Sequence, residues 1–262
     1  MIDMHSHIIF NVDDGSVDLA ESMEMIRNAR AVGFTDIVAT PHYINNTEFN
    51  SMASINAEIL NELKREIAKE QLGIHLMLGN EAFLDMDLVE DLKNKKVATL
   101  NDTLYVLLEI PRHRVIFENL LSFIFELQVN GYYVVLAHPE RYDFVIDNPQ
   151  IISELIERDV LIQLNLLSLV GNYGKEIKDT AMSMLKHNMV HFIGSDAHNP
   201  KFYKMCEESL DILRDTVGEE KFIEITESNP HHVLSNEVLY PDAPLEMKKK
   251  GIFSKFRGRK KR

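Results

Sequence analysis

Residues 1–15 read MIDMHSHIIFNVDDG: an apolar and acidic start runs into His5 and His7, and Asp13 and Asp14 follow closely. Alone, these fifteen residues describe either a polar surface loop or one corner of a metal site. The pattern that follows decides between them. Short β-branched runs alternate with longer segments of helical spacing, and strands are expected over Ile2–Met4, Asp36–Thr40, Ile74–Gly79, Leu104–Glu109, Tyr133–Ala137, Val160–Asn165 and Val190–Ser195. In the first intervening segment Asp18 and Glu21 resemble a capping pair, and Leu19, Met23 and Ile26 form one apolar stripe. Gly33 then stands where a left-handed cap ends a helix; Gly73 and Asn130-Gly131 stand likewise before later strands. Strands alternating with helices imply right-handed βαβ units around a parallel sheet. Seven such repeats in an α/β chain suggest a closed or nearly closed TIM-like barrel rather than a flat doubly wound sheet.

In a barrel of this kind the reactive groups sit at the C-terminal ends of the strands. Taken in order, those ends deliver His5 and His7, then His42 from TPH, Glu81 from GNE, Glu109 from LLEI, His138 and Arg141 from HPER, Gln163 and Asn165 from QLN, and Asp196 and His198 from SDAH. Taken singly, a His after a strand is more often a capping or exposed residue, and Glu109 would pass for a loop carboxylate. The joint pattern favours a metal site, because unrelated loops have no reason to repeat it.

Imidazole and carboxylate without thiolate suit zinc, iron or manganese. With Asp14 included there are nine candidate ligands, which fit two or three ions with a carboxylate such as Glu81 bridging a pair. Neighbouring metals lower the pKa of a bridging water and hold the attacking and leaving oxygens of a displacement. Phosphate-ester hydrolysis is the natural chemistry for such a site. Arg141 is placed to clamp phosphate oxygens in a fork that Lys cannot copy; its bland alternative is a rim ion pair.

Apolar residues at 45% and charged residues at 26% describe an ordinary globular protein. There is no run of 18 apolar residues, and the start lacks a basic segment leading into an apolar one. The single cysteine, Cys206, excludes an internal disulfide framework and fits a reducing cytoplasm. The stretch KKKGIFSKFRGRKKR, 248–262, holds nine basic and no acidic residues; removing those nine charges from the net of −13 leaves about −22 on the rest. A body that acidic argues against nucleic-acid binding. One domain is expected over 1–240, followed by a basic tail over 241–262. That tail reads as a flexible solubilising end, as a contact for anionic lipid at the inner face of the membrane through its cations and Ile252, Phe253 and Phe256, or as an arm docking an acidic partner or subunit. The oligomeric state stays open, a homo-oligomer included.

The HxH start, TPH, the single Glu after strands three and four, HPER, QLNxxSLxGxYG and SDAH together resemble the PHP (polymerase and histidinol phosphatase) superfamily. More narrowly they are similar to its bacterial tyrosine-protein phosphatase branch, which acts on the kinases regulating capsule or exopolysaccharide synthesis. The match runs from Met1 to about Asn236. It implies a distorted (β/α)7 barrel of the PHP fold with three metal ions, usually manganese. His5, His7, Glu81 and Asp196 resemble the first ion's ligands, Glu81, Glu109 and His138 the second's, and Asp14, His42 and His198 the third's. Arg141 takes the phosphate-binding position, and His42 and Asp196 join it as catalytic candidates. The resemblance implies attack by a metal-bound hydroxide on phosphotyrosine without a covalent phospho-enzyme, the substrate being an autophosphorylated tyrosine kinase. Relatives often carry an Arg in the loop after DAH, whereas this chain reads NPKFYK, with Lys201 and Lys204.

The rivals are few. A cysteine-based phosphatase needs Arg six residues after its Cys, and here that residue is Ile212. A histidinol-phosphate phosphatase would use the same barrel and metals. A C–N hydrolase usually brings in a Lys ligand mid-barrel. A non-catalytic metal-binding protein would hold metal without turnover. Asp13 reads as a loop carboxylate beside Asp14, Phe10 and Asn11 as entrance residues, and His75, His113, His187, His191, His231 and His232 as structural or surface residues.

Overall fold

A computed structural model describes residues 1–113, 116–240 and 242–247; the basic stretch 248–262 lies outside the described residues. Nine strand segments are present: β1 Ile2–Ser6, β2 Asp36–Ala39, β3 His42–Tyr43, β4 His75–Leu78, β5 Glu81–Phe83, β6 Tyr105–Glu109, β7 Tyr133–Ala137, β8 Leu161–Asn165 and β9 Phe192–Gly194. They pair in parallel in the orders β1-β2-β4 and β3-β5-β6-β7-β8-β9. The seven expected strands are therefore nine, because the second and third are each broken in two. Pro41 has no N–H to give the ladder. Beside it the Asn80 amide steps out of the sheet, donating to Pro41 O (2.9 Å) and Ser51 O (3.1 Å) and accepting from Ala98 N (2.8 Å). The ring closes where Asp196 N donates to His5 O (2.8 Å) and His7 N to Ala197 O (3.0 Å).

Alternation along the strands separates two layers of core. Outward positions such as Ile37, Leu76, Val106, Leu136, Ile162 and Ile193 pack beneath the surrounding helices. Inward positions Ile2, Met4, Val38, Tyr105, Leu107, Val135, Leu161 and Phe192 fill the lower barrel, with Val233 and Leu234 across its floor. Each large apolar side chain buried this way contributes about 1.5–3 kcal/mol. The barrel is distorted where β4 and β6 part: β4 pairs with β2 only, and the turn Leu100–Asp102 touches both β4 and β6. A Cβ on Gly79 would lie 2.9 Å from Leu100 Cδ2, so a larger residue there would displace the Leu100 side chain.

The helices begin and end as their sequences direct. In Leu19–Val32, Glu21 N donates to Asp18 Oδ1 (2.9 Å), Val17 N donates to Glu21 Oε2 (2.9 Å), and Gly33 closes the helix at φ 108°. The segment NPKFYK is not a loop: Asn199 caps the helix Pro200–Val217, Lys201 is exposed, and Lys204 reaches Glu24 at 3.4 Å. The fully buried Asp3 accepts from Ser195 N (2.8 Å), Ser195 Oγ (2.6 Å) and Tyr203 OH (2.8 Å), tying β1 to β9 and to that helix. Within the expected tail, Leu245 N donates to His187 O and Met247 packs against the core. No helix among the described residues is long and apolar enough to cross a membrane.

Candidate metal centre

A parallel barrel sets one inward position per strand at a common height, so rows that are apolar below can be polar above. The row Tyr105, Leu107 ends in Glu109, the row from Leu161 continues to Gln163, and the row from Met77 passes Gly79 to Glu81. β1 needs a device to do the same. Its register slips between Asp3 and Ser6, opposite Ile37 and Ala39, so one extra residue is inserted. That bulge keeps Met4 in the apolar plug and still turns His5 inward. On the adjoining β9 Gly194 makes room: a Cβ there would lie 2.5 Å from His5 Cβ and 2.6 Å from Gln163 Nε2.

His5 Nδ1 donates to Gln163 Oε1 at 2.9 Å, and His7 Nδ1 donates to Asp13 Oδ2 at 2.7 Å. In its neutral form each ring then carries its proton on the far side and its lone pair on Nε2, and the two Nε2 atoms face each other at 3.1 Å. Glu81 Oε2 lies 3.2 and 3.3 Å from them, and Asp196 Oδ1 3.5 and 3.3 Å. Four electron-pair donors thus converge. Atoms held about 2.0–2.2 Å from one ion stand roughly 3 Å or more apart, which is this spacing.

Two further groups adjoin it. His7, Asp14, His42 and His198 gather on the solvent side, where Asp14 Oδ1 lies 3.5 Å from His42 Nε2 and 3.4 Å from His198 Nε2. His42, Glu81 and Glu109 gather on the other, with His42 Nδ1 2.9 Å from Glu81 Oε2 and 3.8 Å from Glu109 Oε2. His138 Nε2 stands 2.7 Å from Glu81 Oε1 and 4.0 Å from Glu109 Oε1. The groupings differ from those the resemblance implies: His7 and His42 each face two groups, and His138 belongs to none, His42 standing in its place beside Glu81 and Glu109. A neutral imidazole offers one lone pair, so His42 can serve only one, and His138 is the ring at hand for the other. Among the described residues Glu81 Oε2, His42 Nδ1, His138 Nδ1 and Arg141 Nε are buried without a hydrogen-bond partner; the 2.9 Å contact between the first two lacks hydrogen-bond geometry.

The electrostatics express the same imbalance. Burial opposes charge on His5, yet Glu81 and Asp196 outweigh it and push the ring up to about 9. Burial also works against the charged form of Glu81, but His5 and His42 hold its carboxyl well below the usual range. For Glu109, burial and then the charge of Glu81 act together and push it up to about 8. Protons alone satisfy this cluster only by occupying lone pairs. Divalent cations do so without them, and the all-nitrogen-and-oxygen donor set fits such ions.

Arg141 leans over the rim. Its Nη1 donates to Asp196 Oδ2 at 2.7 Å, and its guanidinium carbon lies 4.7 Å from the centre of the Tyr173 ring. Asn165 Nδ2 donates to the same Asp196 oxygen at 2.7 Å. Arg141 thus makes the ion pair of its bland reading and remains beside the centre with Nε uncommitted.

All nine candidate ligands and Arg141 meet at this rim. Asp13 is the residue sequence reasoning underrated. Its side chain is buried, and it takes His7 Nδ1 on Oδ2 together with His42 N (2.9 Å), and Gly15 N on Oδ1 (2.9 Å). The available signal was the neighbouring pair Asp13-Asp14, of which only one faces solvent. Phe10 packs against the core, and the exposed Asn11 takes φ 58° in the loop. The remaining histidines stand apart; His113 pairs with Asp143 and His232 with Glu237, both at 2.6 Å.

A family described as capsular polysaccharide synthesis, CpsB/CapC, matches residues 1–235. Tyrosine-protein phosphatase YwqE of Bacillus subtilis (strain 168) is 34% identical over 259 residues, covering 98% of this chain and 100% of that relative. Putative tyrosine-protein phosphatase CapC of Staphylococcus aureus is 36% identical over 199 residues, covering 76% and 77%. Among solved structures, that of YwqE and CpsB, from Bacillus subtilis and Streptococcus pneumoniae and described as metal-dependent tyrosine phosphatases, superposes with TM-score 0.86 at 32% identity over 95% of this chain and 100% of the other.

Proposed function

This chain belongs to the capsular polysaccharide synthesis CpsB/CapC family, and on that premise we propose that it is a metal-dependent protein-tyrosine phosphatase. The observation that carries this reading is the convergence of imidazole nitrogens and carboxylate oxygens around Glu81, with the Arg141 guanidinium at its edge. His5, His7, Glu81 and Asp196 would hold a first ion; Glu81, Glu109 and His138 a second; Asp14, His42 and His198 a third. Bound there, divalent cations supply positive charge to the phosphoryl oxygens and acidify water at neutral pH.

The chain's own residues do the rest. Arg141, steadied by Asp196 and by the face of Tyr173, turns its free edge to the phosphoryl oxygens and orients the group for in-line attack. Asp13 and Gln163 fix the tautomers of His7 and His5, so that both Nε2 lone pairs stay turned inward. No cysteine nucleophile takes part: Cys206 is buried on the helix Pro200–Val217, and burial pushes its thiol well up.

Manganese is the metal we assign, and an autophosphorylated tyrosine kinase of capsule or exopolysaccharide synthesis is the substrate we assign; the relatives named tyrosine-protein phosphatases and the capsular polysaccharide family support the phosphotyrosine part of that assignment. The protein acts in the cytoplasm at the inner face of the membrane, held there by the basic stretch 248–262 with its Ile252, Phe253 and Phe256. The purified protein is expected to hydrolyse phosphotyrosine peptides with manganese and to stop in EDTA. Equal rates on phosphoserine peptides, faster turnover of histidinol phosphate, or indifference to EDTA would overturn the reading.

A further inference from the structure

Five aromatic rings run in a chain along the mouth of the centre. The Phe49 centroid is 6.1 Å from that of His42, His42 is 4.5 Å from His7, His7 is 3.9 Å from His198, and His198 is 6.2 Å from Phe202. The three imidazoles belong to the group around Asp14, whose side chain is 52% exposed and marks the way in from solvent. The two phenyl rings therefore end the chain and border the opening.

The two ends are not alike. Phe202, on the first turn of the helix Pro200–Val217, packs against the main core. Phe49 is half-buried yet, among the described residues, is not one of those packed against the core; its ring neighbour is His42. It is nevertheless held in place. Ile44 N donates to Phe49 O (3.0 Å), Phe49 N to Thr47 Oγ1 (3.1 Å), and Ser51 N to His42 O (3.3 Å). An antiparallel bridge between Tyr43 and Asn50 closes the loop. A phenyl ring on a fixed loop, beside a candidate ligand and outside the core, has apolar surface left for a ligand.

The phosphoryl group must reach buried donors, since the His5, His7 and Glu81 side chains are fully buried. Whatever carries that group then lies toward the exposed Asp14 and His42, the ring that Phe49 adjoins. In phosphotyrosine the ring begins at the ester oxygen; in phosphoserine a methylene does. We propose that Phe49 forms the apolar wall that receives the aryl ring of the substrate and sets a preference for aryl over alkyl phosphates. This rests on the phosphotyrosine reading above and names the residue that makes the selection.

The test is binding rather than turnover. Phenylphosphonate and methylphosphonate are titrated calorimetrically into manganese-loaded wild type, Phe49→Ala and Phe49→Tyr. Wild type is expected to bind the phenyl compound more tightly. Phe49→Ala should weaken it by about three- to tenfold, the size of one aromatic pairing, leave methylphosphonate unchanged, and be restored by Phe49→Tyr. Equal weakening of both compounds would reduce Phe49 to a prop for His42, and no change would remove it from the site; either overturns the proposal. A protein that keeps the aryl preference but does not hydrolyse phosphotyrosine peptides would refute the catalytic reading and leave Phe49's role standing. Hydrolysis without an aryl preference would do the reverse.

Discussion

At the lower end of the barrel Ile2, Leu107, Val135, Leu161 and Phe192 meet one another under the cover of Val233 and Leu234. At the upper end the same strands deliver His5, Glu109, His138, Gln163 and Asp196. The lower set is complete in itself, since apolar surface asks only to be covered. The upper set is not, because imidazole nitrogens and carboxylate oxygens crowd within about 3 Å of one another and buried polar atoms lack partners among the described residues. Stability is thus concentrated below, and the need for a bound ion above. The plug holds the ligand atoms at spacings they would not choose alone.

This contrast can be broken from either side. His42→Ala, toward the solvent side of the centre, is expected to cut phosphotyrosine hydrolysis by about a thousandfold, the upper range for one preorganised charge-stabilising group, with the melting transition little moved. Near-normal turnover in that variant would show that His42 serves neither group. Leu107→Ala in the plug is expected to cost about 2–5 kcal/mol of unfolding free energy while manganese affinity stays as in wild type. A parallel fall in affinity would mean that the two ends form one cooperative unit. Asp13→Asn sharpens the comparison most finely. It keeps an acceptor for His7 Nδ1 but removes the charge, and manganese affinity should drop about tenfold, the lower range for such outer partners. Unchanged affinity would return Asp13 to an ordinary loop carboxylate.

The rim was legible because parallel strands repeat: each apolar run points at the residue that follows it, and five of eleven histidines fell there. What escaped depends on offsets of a single residue. The bulge that lets both Met4 and His5 face inward leaves no trace in composition, and neither does the pairing of Gly194 with His5. The breaks at Pro41 and Asn80 looked like strand ends rather than interruptions. Asp13 was underrated because a tautomer-fixing carboxylate is recognised by where it points, and two adjacent Asp residues look alike until the loop is folded. The ligand groupings were blurred for a related reason, since His7 and His42 sit where groups meet.

The staple between Asp3 and Ser195 joins residues 192 positions apart, and this bears on how the chain comes into being. β1 is synthesised first, yet one of its edges has no partner until β9 and the residues to Ala197 have emerged. Through most of synthesis that edge is an open template for wrong pairing. The same closure brings Asp196 to His5 and His7. The first ion group therefore exists only in a finished ring, and metal capture becomes a record that the newborn chain has closed.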